Sequence, residues 1–192
     1  MSSLETLLEE LTSGDDERAE AAVPRFIEHG SIAVEALAGL LDEEDANTRW
    51  WAIRTLGTFE GFIAKKYLRL GLQDQDITVQ QCALLGLREH PDPNVVSDLT
   101  SLLTHPDWMI KRLAADALIA TGKEATHELI AIIENGEQAA RLEAVRALAF
   151  IGDQTAIPIL FKVLEEDSTL IRYWAEEGLQ KMGVGMVFLK PD

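Results

Sequence analysis

The chain has 192 residues, of which 47% are hydrophobic, and its formal net charge at pH 7 is −16. This charge opposes sequence-independent binding to nucleic acids, because that binding depends on cationic side chains that neutralise phosphates. No apolar run approaches the ~18 residues of a membrane span, and a single cysteine, Cys82, excludes an internal disulfide bond.

The N-terminal quarter of the chain is the most acidic part. Residues 1–48 contain 13 acidic side chains and two arginines. Two interpretations stay open: this end docks to a basic surface of a partner protein, or it keeps an end repeat in solution. The first 17 residues lack the basic start and apolar stretch of a signal peptide. Together with the single cysteine, this predicts a cytoplasmic location.

One short phrase recurs along the whole chain. It starts with a basic or polar residue, has an alanine three residues later and closes on glycine, or once on Asp92. Successive copies are 30 or 31 residues apart. Their first residues are Arg18, Arg49, Gln80, Lys111, Arg141 and Arg172. Apolar residues at helical spacing in and before each phrase predict a pair of helices per copy. Alanine at each contact allows the second helices to pack closely.

Several residues predict where the helices begin, bend and end. The segment from Ser2 to Thr12 is predicted as a helix whose polar face caps the array. Pro24 predicts a kink in the first repeat, and Pro91 and Pro93 mark a junction. N-caps are predicted at Asp45, Asp76, Asp107 and Ser168, and the closing glycines favour left-handed backbone. The apolar tail, 184–192, either covers the last hairpin or contacts a partner.

The repeated phrase resembles a known repeat. Leu170-Ile-Arg172-x-x-Ala175-x-x-x-Leu179-x-x-x-Gly183, with Ile151-Gly-Asp-Gln-Thr-Ala156, is similar to the HEAT-like repeats first associated with phycobilisome lyases. The resemblance implies an all-α, right-handed α-solenoid of six hairpins in one domain, 1–192. The implied repeats are 1–30, 31–60, 61–91, 92–122, 123–152 and 153–183, followed by the tail 184–192. It also implies that the second helices line the concave side and that the recurring arginines link consecutive hairpins.

The second helices carry the residues that we expect to bind a partner. Large aromatic rings and arginines on one surface are typical of interface anchors. The predicted set is Trp50, Trp51, Arg54, Arg112, Arg146, Tyr173 and Trp174. The function predicted is a non-catalytic scaffold that grips another protein in this groove. The alternative, also implied by the resemblance, is a bilin lyase-like or chromophore-handling subunit acting on a phycobiliprotein-type partner.

The sequence predicts neither catalytic nor metal-binding residues, and no cofactor. Four histidines are scattered over four repeats and are interpreted as surface residues. Cys82 is the single candidate thiol nucleophile, but no histidine occupies a matching position in an adjacent repeat, so a packing role is favoured. Oligomeric state and the identity of the partner are not predicted.

Overall fold

The computed structural model describes residues 2–165 and 168–184, which contain twelve α-helices joined by turns and short 3-10 segments. The first six are α1 (Leu4–Leu11), α2 (Asp16–Ala22), α3 (Gly30–Gly39), α4 (Ala46–Leu56), α5 (Phe62–Gly71) and α6 (Ile77–Glu89). The other six are α7 (Val96–Ser101), α8 (Trp108–Thr121), α9 (Thr126–Asn135), α10 (Gln138–Ile151), α11 (Ile157–Val163) and α12 (Thr169–Lys181). Taken in pairs they form six hairpins, so the predicted fold class, an all-α helical-hairpin solenoid, is confirmed. Tail residues 185–192 lie outside the described residues.

The chain divides into two compact units, Met1–His90 and Pro91–Asp192, with three hairpins in each. The boundary falls at the proline-containing junction. Second helices of successive hairpins pack against each other within each unit, α4 against α6 in the first and α10 against α8 and α12 in the second. Within residues 2–165 and 168–184, no helix combines the length and apolar character needed to cross a membrane. One domain over 1–192 stays a prediction.

The recurring alanines lie in the core, with one exception. Five of the six are fully buried: Ala52, Ala83, Ala114, Ala144 and Ala175. The sixth, Ala21, is exposed, and its neighbour Ala22 is buried instead. The predicted register is therefore wrong in the first repeat. The α-helix ends at Ala22, and residues Val23–His29, which include Pro24, continue as a 3-10 helix.

Helix α12 approaches α10 so closely that one position excludes even a methyl group. A Cβ added to Gly178 would lie 2.9 Å from the Cα of Ala149. Only glycine leaves room at this position for the backbone of the neighbouring helix. Close stacking of second helices therefore extends to the last hairpin.

The predicted helix caps are confirmed. Asp45, Asp76, Asp107 and Ser168 each accept a hydrogen bond from a backbone N–H in the first turn of the helix that follows. All closing glycines have positive φ angles. Gly152 takes the left-handed conformation, with φ 68° and ψ 25°. Gly61 instead combines φ 103° with ψ 169°, a region that is essentially restricted to glycine.

Arg49 joins two consecutive hairpins. Its guanidinium donates two hydrogen bonds of 2.8 Å to the carboxylate of Asp74, in the turn between α5 and α6. It donates two more, each 2.9 Å, to the carbonyl oxygens of Glu43 and Glu44. The implied role of an arginine link is therefore observed here. Asp45, in the preceding turn, caps α4 by accepting a 2.8 Å hydrogen bond from the backbone N–H of Thr48.

We expect this link to make stability depend on pH. The hydrogen bonds from Arg49 lower the pKa of Asp74 below its ordinary value of 3.8. A carboxyl whose pKa is lower in the folded state stabilises the fold above its unfolded pKa, and this contribution is lost as the pH falls through the folded pKa. Urea unfolding at pH 7 and at successive values below 4 should show wild type losing stability more steeply than Asp74→Asn. Parallel pH profiles would contradict this.

Candidate functional site

The predicted binding residues lie on second helices in both units. Trp50, Trp51 and Arg54 belong to α4, in the first unit. The others belong to the second unit: Arg112 to α8, Arg146 to α10, and Tyr173 and Trp174 to α12. The structure therefore brings together two groups, one in each unit, and each group is described by itself.

In the first unit only one of the two tryptophans is available at the surface. The rings of Trp50 and Trp51 pack edge to face, with centroids 4.9 Å apart. Trp51 is only 5% exposed, whereas Trp50 is half-buried. Arg54, one turn after Trp50, donates a 2.9 Å hydrogen bond to Glu20 on α2. Trp50, Arg54 and the exposed Leu85 of α6 form what we call the first-unit patch.

Trp50 separates two clefts within the first unit. One has a volume of about 510 Å³ and is lined by Trp50, Trp51, Asp16, Glu20, Ala46, Asn47 and Thr78. The other has a volume of about 290 Å³ and is lined by Trp50, Ile53, Arg54, Gly57, Cys82, Leu85, Gly86, Arg88 and Glu89. One tryptophan thus contributes to an acidic cleft and to a second cleft that contains the exposed Leu85.

In the second unit Arg146 is part of a buried ion cluster. It is 2% exposed and donates hydrogen bonds of 2.7 Å to Asp116 and 2.9 Å to Glu143. Asp116 also lies 3.7 Å from Arg112, whose side chain is partly exposed. The burial of Arg146 and Trp51 removes both from the set that can contact a partner directly. Arg146 fixes Asp116 and Glu143, and Trp51 supports the ring of Trp50.

Three aromatic rings form a continuous cluster on α10 and α12. Tyr173 and Trp174 have ring centroids 5.1 Å apart, and those of Trp174 and Phe150 are 5.6 Å apart. Tyr173 is 50% exposed and Phe150 is 47% exposed. The ammonium of Lys181 lies 4.1 Å from the centroid of Phe150. We call these three rings and Lys181 the second-unit patch.

Phe150 was not predicted from the sequence. On α10 the predicted set contains only Arg146. Phe150 lies four residues beyond Arg146, one helical turn further along the same face, and its ring stands 5.9 Å from the guanidinium. Extending the predicted set by one helical turn beyond Arg146 would have included Phe150.

The thiol of Cys82 is held in its neutral form. Burial raises its pKa from 9.0 to about 12, and the nearby positive charge of Arg54 offsets little of that change. The thiolate is the nucleophile in cysteine chemistry, so this group is inert near neutral pH. At pH 8 we expect iodoacetamide to modify native protein at least about tenfold more slowly than urea-unfolded protein, measured by mass spectrometry. Equal rates would contradict the burial argument.

The histidines make separate local contacts. His90 hydrogen-bonds the carbonyl oxygen of Gly57 at 2.9 Å, and His105 accepts from the backbone N–H of Asp107 at 3.1 Å. His127 is exposed, and His29 is half-buried. Over residues 2–165 and 168–184, no group of three or more histidine, cysteine, aspartate or glutamate residues has a geometry that could hold a metal ion.

Comparison with known proteins identifies similar chains. A family model for HEAT repeats matches residues 66–128 and 126–185. Uncharacterized phycocyanin operon protein Z of Pseudanabaena tenuis is 26% identical over 144 residues, which cover 70% of this chain and 71% of that protein.

Two solved structures extend the comparison. The Escherichia coli protein YibA has a TM-score of 0.61 at 16% identity, covering 95% of this chain and 72% of that one. The complex of CpcE and CpcF of phycocyanin lyase from Nostoc has a TM-score of 0.58 at 23% identity, covering 95% and 78%. At these identities the structural matches show the fold alone.

Proposed function

The chain belongs to the family of HEAT repeat proteins, and from this premise we propose that it is a non-catalytic scaffold holding a partner protein on its second helices. The predicted resemblance to the repeats of phycobilisome lyases is confirmed. One observation carries the proposal: each unit exposes aromatic rings on its second helices, at Trp50 in the first and at Phe150, Tyr173 and Trp174 in the second.

The rings have the properties of interface anchors. Aromatic side chains offer large apolar area with few rotatable bonds, so they lose little conformational entropy on binding. Trp50 packs against buried Trp51, and Tyr173 packs against Trp174. Each exposed ring is therefore already oriented before a partner arrives, which lowers the cost of association.

The polar groups around the rings support binding more than catalysis. Arg54 is paired with Glu20, and Arg112 lies beside Asp116, so their charges are positioned for specificity at an interface. The one thiol is protonated and buried. A scaffold needs such a fixed surface and no activated nucleophile.

The proposal is tested by capture. The protein is immobilised and exposed to lysate of a phycocyanin-producing cyanobacterium, and retained proteins are identified by mass spectrometry. We expect one protein, or one complex, to be retained in stoichiometric amount and to be lost when the exposed rings are removed. Equal retention by a variant without Trp50 and Tyr173 would overturn the proposal.

A second candidate function is handling of a bilin-bearing partner. It is favoured by the 26% identity to a phycocyanin operon protein, together with the flat aromatic rings of the second-unit patch and the ammonium of Lys181. Such rings can stack on a tetrapyrrole, and a cation can pair a propionate. Added phycocyanobilin should then shift its visible absorbance with wild type and not with Tyr173→Ala. An unchanged spectrum with wild type would exclude this function.

A further inference from the structure

We propose that the first unit binds an extended segment of its partner protein through the two clefts beside Trp50. An arginine or lysine of that segment enters the acidic cleft, and an apolar side chain two or three residues away enters the second cleft. The inference rests on the proposed function and names the chemistry of the partner.

The acidic cleft has polar groups with unused binding capacity. The carboxylate of Glu20 accepts from Arg54, so its charge is partly neutralised. Asp16 and Asn47 are exposed, and within the described residues their side chains make no hydrogen bond or ion pair. A carboxylate, an amide and the indole of Trp50 therefore line one cleft of about 510 Å³.

This combination of groups favours a cation. A guanidinium or ammonium can lie against the face of an indole and donate hydrogen bonds to a carboxylate at the same time. An apolar side chain would displace water from the carboxylate of Asp16 and offer it no hydrogen bond in return. An anion would be repelled by the surrounding N-terminal region, where 13 acidic side chains stand against two arginines in residues 1–48. Charge complementarity thus selects a basic segment.

The second cleft suits an apolar side chain. The exposed Leu85 and the half-buried ring of Trp50 contribute apolar surface, whereas Ile53 and Cys82 are buried and the thiol is neutral. The charged groups at its edge, Arg88 and Glu89, are bound to each other at 2.8 Å. An aliphatic group can therefore enter this cleft without leaving either charge unpaired.

The spacing of the clefts determines the spacing of the two side chains. The first cleft is lined by α2 and α4 and, at Thr78, by α6, and the second is lined by α4 and α6. Packed helices are about 8–10 Å apart, so the cleft centres differ by about one such distance. An extended chain advances about 3.3 Å per residue. The two side chains that enter the two clefts should therefore be two or three residues apart in the partner segment.

The test uses capped glycine-rich peptides that carry one arginine and one leucine, separated by one to five positions in either order. Binding is followed by NMR titration of the Trp50 indole resonance. We expect the tightest binding at a separation of two or three. Replacing arginine by neutral citrulline should weaken binding about tenfold, and Asp16→Asn in the protein should weaken it about three- to tenfold.

Two variants make the result specific. Trp50→Leu should abolish binding of the peptide. Because this variant lacks the Trp50 indole, its titration is followed by the backbone amide resonances. The circular-dichroism spectrum of the variant should match that of wild type. Glu35→Gln removes one exposed charge from α3, the first helix of the second hairpin, and this variant should bind the peptide as wild type does. Equal binding of the citrulline peptide, or equal weakening by Glu35→Gln, would overturn the inference.

The peptide titration needs no natural partner, so its failure is distinguishable from failure of the scaffold proposal. If capture depends on Trp50 and Tyr173 but no peptide binds, the cleft inference is overturned and the scaffold stands. If the peptides bind as expected but a variant without Trp50 and Tyr173 captures as much partner as wild type, the scaffold proposal is overturned and the cleft chemistry is supported.

Discussion

Replacing Arg49 by alanine is expected to lower the free energy of unfolding by about 3 kcal/mol, because it breaks a buried ion pair and leaves other groups without partners. Arg49 is 4% exposed, and it bonds both carboxylate oxygens of Asp74 and two backbone carbonyls. Without the guanidinium, the half-buried carboxylate of Asp74 loses two hydrogen bonds and its counter-charge. The link between the second and third hairpins is lost with it.

The matched control is Arg172→Ala. Arg172 occupies the same position of the repeated phrase but is exposed. Its replacement should change the free energy of unfolding by no more than about 0.5 kcal/mol, the range usual for surface substitutions. Urea unfolding followed by circular dichroism measures both variants. Similar midpoints for Arg49→Ala and Arg172→Ala would show that the observed hydrogen bonds contribute little.

The double variant Trp50→Ala, Tyr173→Ala is expected to lose about 100-fold or more in affinity for the captured partner. Aromatic anchors at the centre of an interface each contribute about 2 kcal/mol or more, which corresponds to about 30-fold in affinity. Both rings are accessible and both are held by a neighbouring aromatic ring, so their removal deletes contact area without opening the core. Surface plasmon resonance with the purified partner measures the change.

Its control removes two aromatic rings from first helices. Phe62, at the start of α5, is 72% exposed, and Phe161 on α11 is 36% exposed. One lies in each unit, as the two tested rings do. The variant Phe62→Ala, Phe161→Ala should bind within about twofold of wild type, since both positions lie outside the two patches. Equal losses in the two double variants would mean that general apolar surface, and not these patches, drives binding.

Features that depend on nearby residues could be predicted from the sequence. An N-cap such as Asp107 needs only the backbone of its own helix, and its hydrogen bonds to Met109 and Ile110 are local. The buried alanines follow from a period repeated six times. The first repeat is the exception, because Ala22 and not Ala21 is buried there, and the alignment of the phrases does not show this change of register.

Features that depend on neighbouring hairpins could not be predicted. Trp50 and Trp51 are consecutive, and only packing against other helices determines which ring is buried. Arg146 looks like an exposed interface residue in the sequence, yet Asp116, 30 residues earlier, draws it into an ion cluster. Burial of a charged side chain is decided by such distant partners. The sequence therefore predicted the surface of the second helices but not which side chains it exposes.

The most direct test of the scaffold proposal is site-specific photocrosslinking. A photoreactive phenylalanine analogue is introduced at Tyr173, at Trp50 or, as the reference, at Phe62, and each protein is irradiated in the lysate. We expect a crosslinked partner of the same mass from Tyr173 and Trp50, with none from Phe62. Crosslinks from Phe62 alone would place the partner on the first helices and contradict binding by the second helices.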